Sequence, residues 1–127
     1  MTIWILMVIT VLFIPITMIR FGKLFMELPP DKINILYGYR TSMSMKNSDT
    51  WEYAHHYIGK LWLKIGFISL IPTIIAMVYV YMKDLSIIES WVGTIAWVFV
   101  IVMLITIFLT EIELKKTFDK DGNRLTN

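Results

Sequence analysis

SWVGTIAWVFVIVMLITIFLT, residues 90–110, runs for 21 positions without a charged side chain. At about 1.5 Å of rise per helical residue it covers roughly 31 Å, the thickness of a bilayer's hydrocarbon core. Two more charge-free runs, 1–19 and 65–82, are each interrupted by one proline, Pro15 and Pro72. With 57% hydrophobic residues, 17% charged residues and a mean hydropathy of +0.65, the chain of 127 residues is too apolar for an ordinary water-soluble domain. What remains is too short to cover three such helices, so they are expected to face lipid. The reading is all-α: a single integral membrane domain with spans over about 2–25, 65–82 and 90–110.

The cations order the chain across the membrane. Of twelve Lys and Arg, seven (Arg20, Lys23, Lys32, Arg40, Lys46, Lys60, Lys64) fall between the first and second charge-free runs. Four (Lys115, Lys116, Lys120, Arg124) follow the third, and only Lys83 lies in the short second connection. The positive-inside bias therefore predicts an outside amino terminus, a cytoplasmic loop 26–64 and a cytoplasmic tail 111–127. Because Arg20 and Lys23 follow the first run, it does not fit a cleaved signal peptide and is expected to stay in the chain. The absence of cysteine removes disulfides and thiolate metal sites.

Inside the polar block, Leu28-Pro29-Pro30-Asp31 must break the first helix, since neither proline has an amide donor and each disfavours helix at the residue before it. A short turn or helix is expected to restart at Pro30 and end at Gly38, which tolerates positive φ. Arg40 follows that bend, and its planar five-donor fork suits carboxylate or phosphate. Ser48 or Asp49 is the expected cap of the next helix, with Glu52 at the capping-box spacing. Trp51, Ala54, Ile58, Leu61 and Ile65 then keep a helical apolar rhythm, which predicts an interfacial amphipathic helix running into the second span, with Gly59 and Gly66 as candidate bends. Trp51, Tyr53, Tyr57 and Trp62 suit the headgroup zone.

Asn34, Tyr37-Gly38-Tyr39-Arg40-Thr41, Ser44, Lys46-Asn47, Trp51 and Ala54, joined to a tail with Thr110-Glu111 and Phe118-Asp119-Lys120-Asp121-Gly122-Asn123, resemble the SdpI family of bacterial membrane proteins. The resemblance implies a multi-pass protein of the bacterial cell membrane that gives immunity to a secreted, membrane-active peptide toxin, and that captures a transcriptional repressor at the membrane. It implies partner or ligand binding by Asn34, Gly38, Tyr39, Arg40, Thr41, Ser44 and Trp51. Each has a plainer reading: Gly38 as a helix stop, Arg40 as a contact to lipid phosphate, Asn34, Thr41 and Ser44 as caps or backbone partners, Trp51 as an interfacial anchor. The alternative function is a structural or transporter-associated membrane subunit without toxin specificity.

Other chemistries find little support. Adjacent His55 and His56 point about 100° apart on a helix and cannot chelate one metal together. Asp119 to Asn123 lacks glycine at the sixth position of a calcium loop and reads as a turn. No phosphate loop or nucleophile–base pair is present, so neither enzymatic activity, nor a cofactor, nor nucleic-acid binding is expected. Glu111 and Glu113, near a helix carboxyl end, are expected to pair with Lys115, Lys116 or Arg40. No strong small-xxx-small motif stands out, which leaves a homo-oligomer open alongside the bilayer as partner.

Overall fold

A computed structural model describes residues 1–34 and 36–126. It consists of α1 (Thr2–Glu27), α2 (Ser48–Tyr79) and α3 (Leu85–Thr117), each long and apolar enough to cross a membrane. Phe13, Phe67, Ile71, Trp97 and Phe108 stand exposed on the helix surfaces. Bare rings and branched chains in such number fit lipid and not water. The helices run up, down and up: Trp4 Nε1 donates to the Met77 carbonyl at 3.0 Å near one end, while Trp62 Nε1 donates to Thr106 Oγ1 at 3.0 Å toward the other.

α1 and α2 pack closest, and glycine is the reason. A Cβ on Gly22 would stand 2.6 Å from the Leu63 backbone nitrogen, one on Gly59 2.7 Å from the Gly22 carbonyl, and one on Gly66 2.6 Å from Ile19. Gly59 and Gly66 are therefore contact points between two backbones, not bends, and α2 continues through both as helix. Membrane helices gain little from apolar burial against each other, so this approach supplies the dispersion contact that holds the pair. α3 stands further off, fastened chiefly through polar side chains at the end that carries Thr106, Glu111 and Glu113.

The connection between α1 and α2 is shorter than the polar block suggests. Its described residues within 28–47 form bends and turns, with no helix restarting at Pro30. The prolines stop α1, and side chains hold the segment after them. α2 begins earlier and on a different cap than expected: Asn47 accepts from Thr50 N–H at 2.9 Å, while Thr50 Oγ1 accepts from Asn47 N–H at 3.1 Å. The pair forms a capping box with threonine in the place usual for glutamate. From Ser48 to Lys64 the helix is continuous with the second apolar run, and Trp51, Ala54 and Ile58 are buried inside the protein. After α3, a tight turn at Gly122 (φ 87°) folds the tail back so that Phe118 bridges Arg124. Asp119 Oδ1 accepts the Asp121 and Asn123 amides, the turn that the sequence suggests.

Gly59→Ala is expected to lower stability by about 1–3 kcal/mol, because backbone on α1 cannot yield as a side chain would; this outweighs a helix-propensity gain of at most about 1 kcal/mol. Gly93 has no heavy atom within 4 Å of a built Cβ, so Gly93→Ala should be neutral or stabilising by up to about 1 kcal/mol. Unfolding titrations in detergent measure both.

Candidate functional site

The described residues of the segment 28–47 form no helical or sheet ladder, so their buried backbone donors and acceptors must find other partners. Trp51 Nε1 donates to the Pro30 carbonyl at 2.7 Å, pinning the chain just after α1 to the start of α2. Asn34 Oδ1 accepts from the amides of Leu36 and Tyr37 at 2.9 and 2.7 Å, closing a turn over the next residues. The predicted helix-forming position Ile35 lies outside the described residues.

Gly38 has φ 112°, and a Cβ there would stand 2.7 Å from His55 Nε2 and 3.2 Å from the Trp51 ring. Conformation and space both demand glycine, though not as a helix stop. The chain then passes close enough for the Tyr39 amide to donate to His55 Nε2 at 2.9 Å. With Nε2 accepting, the proton belongs on Nδ1, which lies 2.7 Å from the Trp51 carbonyl and donates to it. His55 is fully buried, its ring 4.4 Å from that of Trp51 at a tilt of 50° and edge-on to Phe25 at 4.9 Å. Burial, ahead of the nearby His56 charge, holds its pKa below the ordinary 6.5.

Tyr39 reaches the other way. Its hydroxyl donates to Glu111 Oε1 at 2.6 Å, linking loop to α3, and burial followed by Glu111 raises its pKa far beyond the usual range. Thr41 and Ser44 close on each other: Thr41 N–H donates to Ser44 Oγ at 2.9 Å, Ser44 N–H to Thr41 Oγ1 at 3.1 Å, and Ser44 Oγ to the Tyr39 carbonyl at 2.9 Å. Thr50 Oγ1 lies 3.0 Å from the Ser44 carbonyl. The tail covers this assembly: Asn47 Nδ2 donates to the Gly122 carbonyl at 2.7 Å, and Arg124 forms a two-pronged pair with Asp49 at 2.8 Å.

The residues singled out from sequence thus divide. Gly38, Tyr39, Thr41, Ser44 and Trp51 meet in one cluster and spend their polar groups inside it. Asn34 and Arg40 sit at the surface, joined by a 2.8 Å bond from Arg40 Nε to the Asn34 carbonyl. Among the described residues this is the one side-chain hydrogen bond of Arg40, whose side chain is exposed. Glu111 and Glu113 do not pair with cations: their partners are the hydroxyls of Tyr39 and Tyr53, at 2.6 and 2.8 Å. A buried hydroxyl competes well here because it brings no desolvated charge. Sequence reasoning weighed His55 only as half of a metal pair and Asn47 only as part of the family resemblance; their roles had a signal in the place of His55 one turn after Trp51 on the apolar face of α2, and in the Asn-x-x-Thr spacing of Asn47 and Thr50.

Beneath Arg40 the loop roofs a cleft of about 270 Å³ to which all three helices contribute, through Phe25, Ile58, Trp62 and Ile107, with Gly38 to Thr41 at its mouth. Its walls are aromatic and aliphatic. Its one formal charge is the guanidinium.

Neutral His55 fixes the sign of a pH effect. Because the folded state lowers its pKa, the unfolded chain binds the extra proton first on acidification. The stability it contributes is complete above about pH 6.5 and is lost as pH falls toward the folded value, with a slope of at most about 1.4 kcal/mol per pH unit. His55→Phe should remove that slope and cost about 1–3 kcal/mol at neutral pH by orphaning the Tyr39 amide. Thermal unfolding of both proteins between pH 5 and pH 8, read as a difference, measures it.

The model of the SdpI/YfhL protein family matches residues 31–110, from the loop through the third apolar run. No curated protein and no solved structure matches the chain.

Proposed function

The chain belongs to the SdpI/YfhL family, and on that premise we propose that it protects a bacterial cell membrane against a membrane-active peptide toxin through a partner-binding face on its inner side. The face consists of the loop from Asn34 to Ser44, the start of α2 and the folded tail. Arg40 is its charged contact. The observation that carries this reading is the division of labour in the motif: Tyr39, Thr41, Ser44 and Trp51 bond within the protein, while the exposed Arg40 is held through Nε on Asn34 and its terminal nitrogens have no partner among the described residues. A fork so fixed loses little entropy on meeting a carboxylate or phosphate.

The inside placement of this face rests on the cation distribution, with eleven of the twelve Lys and Arg on the loop and tail side. A repressor held at the membrane would use the same face, which is why immunity and signalling belong to one reading.

Cells carrying the chain should survive challenge with a secreted membrane-active peptide toxin, and Arg40→Ala should lower survival by about tenfold or more at unchanged protein level, as loss of a charged hydrogen bond of about 1.5–3 kcal/mol implies. Equal survival of the two would remove Arg40 from the function. For the placement, Ser42 is exposed and the chain has no cysteine. Ser42→Cys should react with an impermeant thiol reagent only after the cells are opened; reaction in intact cells would put the loop outside.

A further inference from the structure

We propose that the cleft under Arg40 is the upper end of a lipid site that holds one anionic phospholipid, its phosphate on the guanidinium and one acyl chain lying along α3. The site goes beyond the protective role and does not depend on it.

Three observations meet here. The first is a second cavity below the first, of about 230 Å³, between α1 and α3. Both cavities have the Trp62 ring as a wall. The lower one is lined by Ile14 and Met18 of α1 and by Ala96, Val100 and Met103 of α3. Its one hydroxyl, on Thr17, is already bonded to the Phe13 carbonyl at 2.6 Å. Nothing in it attracts a polar ligand.

Length is the second. Ile107 in the upper cleft and Met103, Val100 and Ala96 in the lower one succeed each other at helical spacing down one face of α3. From Ile107 to Ala96 the rise is roughly 16 Å, close to half of a hydrocarbon core of about 30 Å. That is the reach of a single acyl chain in one leaflet. A short peptide side chain would fill only the upper cleft.

Depth and charge make the third. Ile107 lies near the end of the charge-free run 90–110, Trp62 just ahead of the run that starts at Ile65, and Phe25 beyond the one that ends at Ile19. The mouth is therefore at headgroup level, where a phosphate resides. Tyr39, Thr41 and Trp62 have their polar atoms engaged within the protein, at Glu111, Ser44 and Thr106. The exposed guanidinium of Arg40 is what remains to select a head, and it selects an anion.

Quenching by brominated acyl chains tests this. Purified protein goes into vesicles of phosphatidylcholine mixed with phosphatidylglycerol, bromine being carried on one lipid or the other, and the Trp62 contribution is taken as the difference from Trp62→Phe. The expected result is a preference of about fivefold for the anionic lipid at Trp62, the ratio given by about 1 kcal/mol for one nearby cation. Arg40→Gln should bring the ratio to about one, with helical content unchanged by circular dichroism. Val100→Phe, which keeps Arg40 but fills the groove, should reduce quenching of Trp62 by either lipid. Soluble glycerol phosphate in excess should leave the signal as it was. A wild-type ratio near one, a ratio indifferent to Arg40→Gln, or displacement by glycerol phosphate each overturns the proposal. Because quenching is read on purified protein and protection on cells, loss of the lipid preference with toxin survival intact would sink this site alone.

Discussion

The imidazole of His55 is the joint on which the polar end of the molecule depends. The described residues of the loop between α1 and α2 form no ladder to satisfy their amides, and where the loop is buried against α2 water is excluded. His55 offers a single buried acceptor beside the loop. Its fixed tautomer takes the Tyr39 amide on one side and gives its proton to the Trp51 carbonyl on the other. Gly38 is glycine so that the backbone can come this close, and Trp51 both packs against the ring and reaches back to Pro30. Once Tyr39 is placed, its hydroxyl finds Glu111, so one ring nitrogen on α2 decides how the loop is attached to α3.

Two kinds of adhesion hold the helices, and they act at different places. Between α1 and α2 glycines bring the backbones into contact, at Gly22, Gly59 and Gly66. α3 is held instead by hydrogen bonds from Tyr39, Tyr53 and Trp62, gathered toward one end, and by the tail that returns to Asn47 and Asp49. At the opposite end α3 packs through Ile88, Val92 and Ile95 against Val11 of α1 and Met77 of α2 in an apolar cluster, so α1 and α3 part only in between. The lower cavity beside Trp62 lies in that interval.

What could be read from the sequence reflects the range over which each force acts. The spans were legible because the length of a charge-free run is a local property, and so was the motif, which stands out as polar order between greasy runs. Gly38 was recognisable as a positive-φ residue, and the Asp119 turn as a turn. The partners of Tyr39, Glu111, His55 and Asn47 were not, since these bonds join positions from 16 to 75 residues apart and depend on which helix faces meet. Charge logic assigned cations to Glu111 and Glu113 because it sees neighbours along the chain; tyrosines brought over by the fold took their place. Gly59 and Gly66 looked like bends because a helix contact leaves no mark on one helix alone.

The motif that looks like a binding signature is thus largely a fastening. Glycine, tyrosine, threonine, serine and tryptophan are each accounted for by the shape of the loop, and replacing any of them would disturb a binding surface without removing a contact to the partner. Arg40 is different in kind. Burying an arginine in such a cluster would require a matching anion, and Glu111, the carboxylate bonded to the cluster, is engaged by Tyr39. The guanidinium is left at the surface, steadied by the Asn34 carbonyl, above walls that carry no other charge. Of the motif residues that the family resemblance marks for binding, Arg40 alone presents a charge, and it does so beside the cleft. Whatever this protein meets there, lipid or toxin, it meets through that charge first.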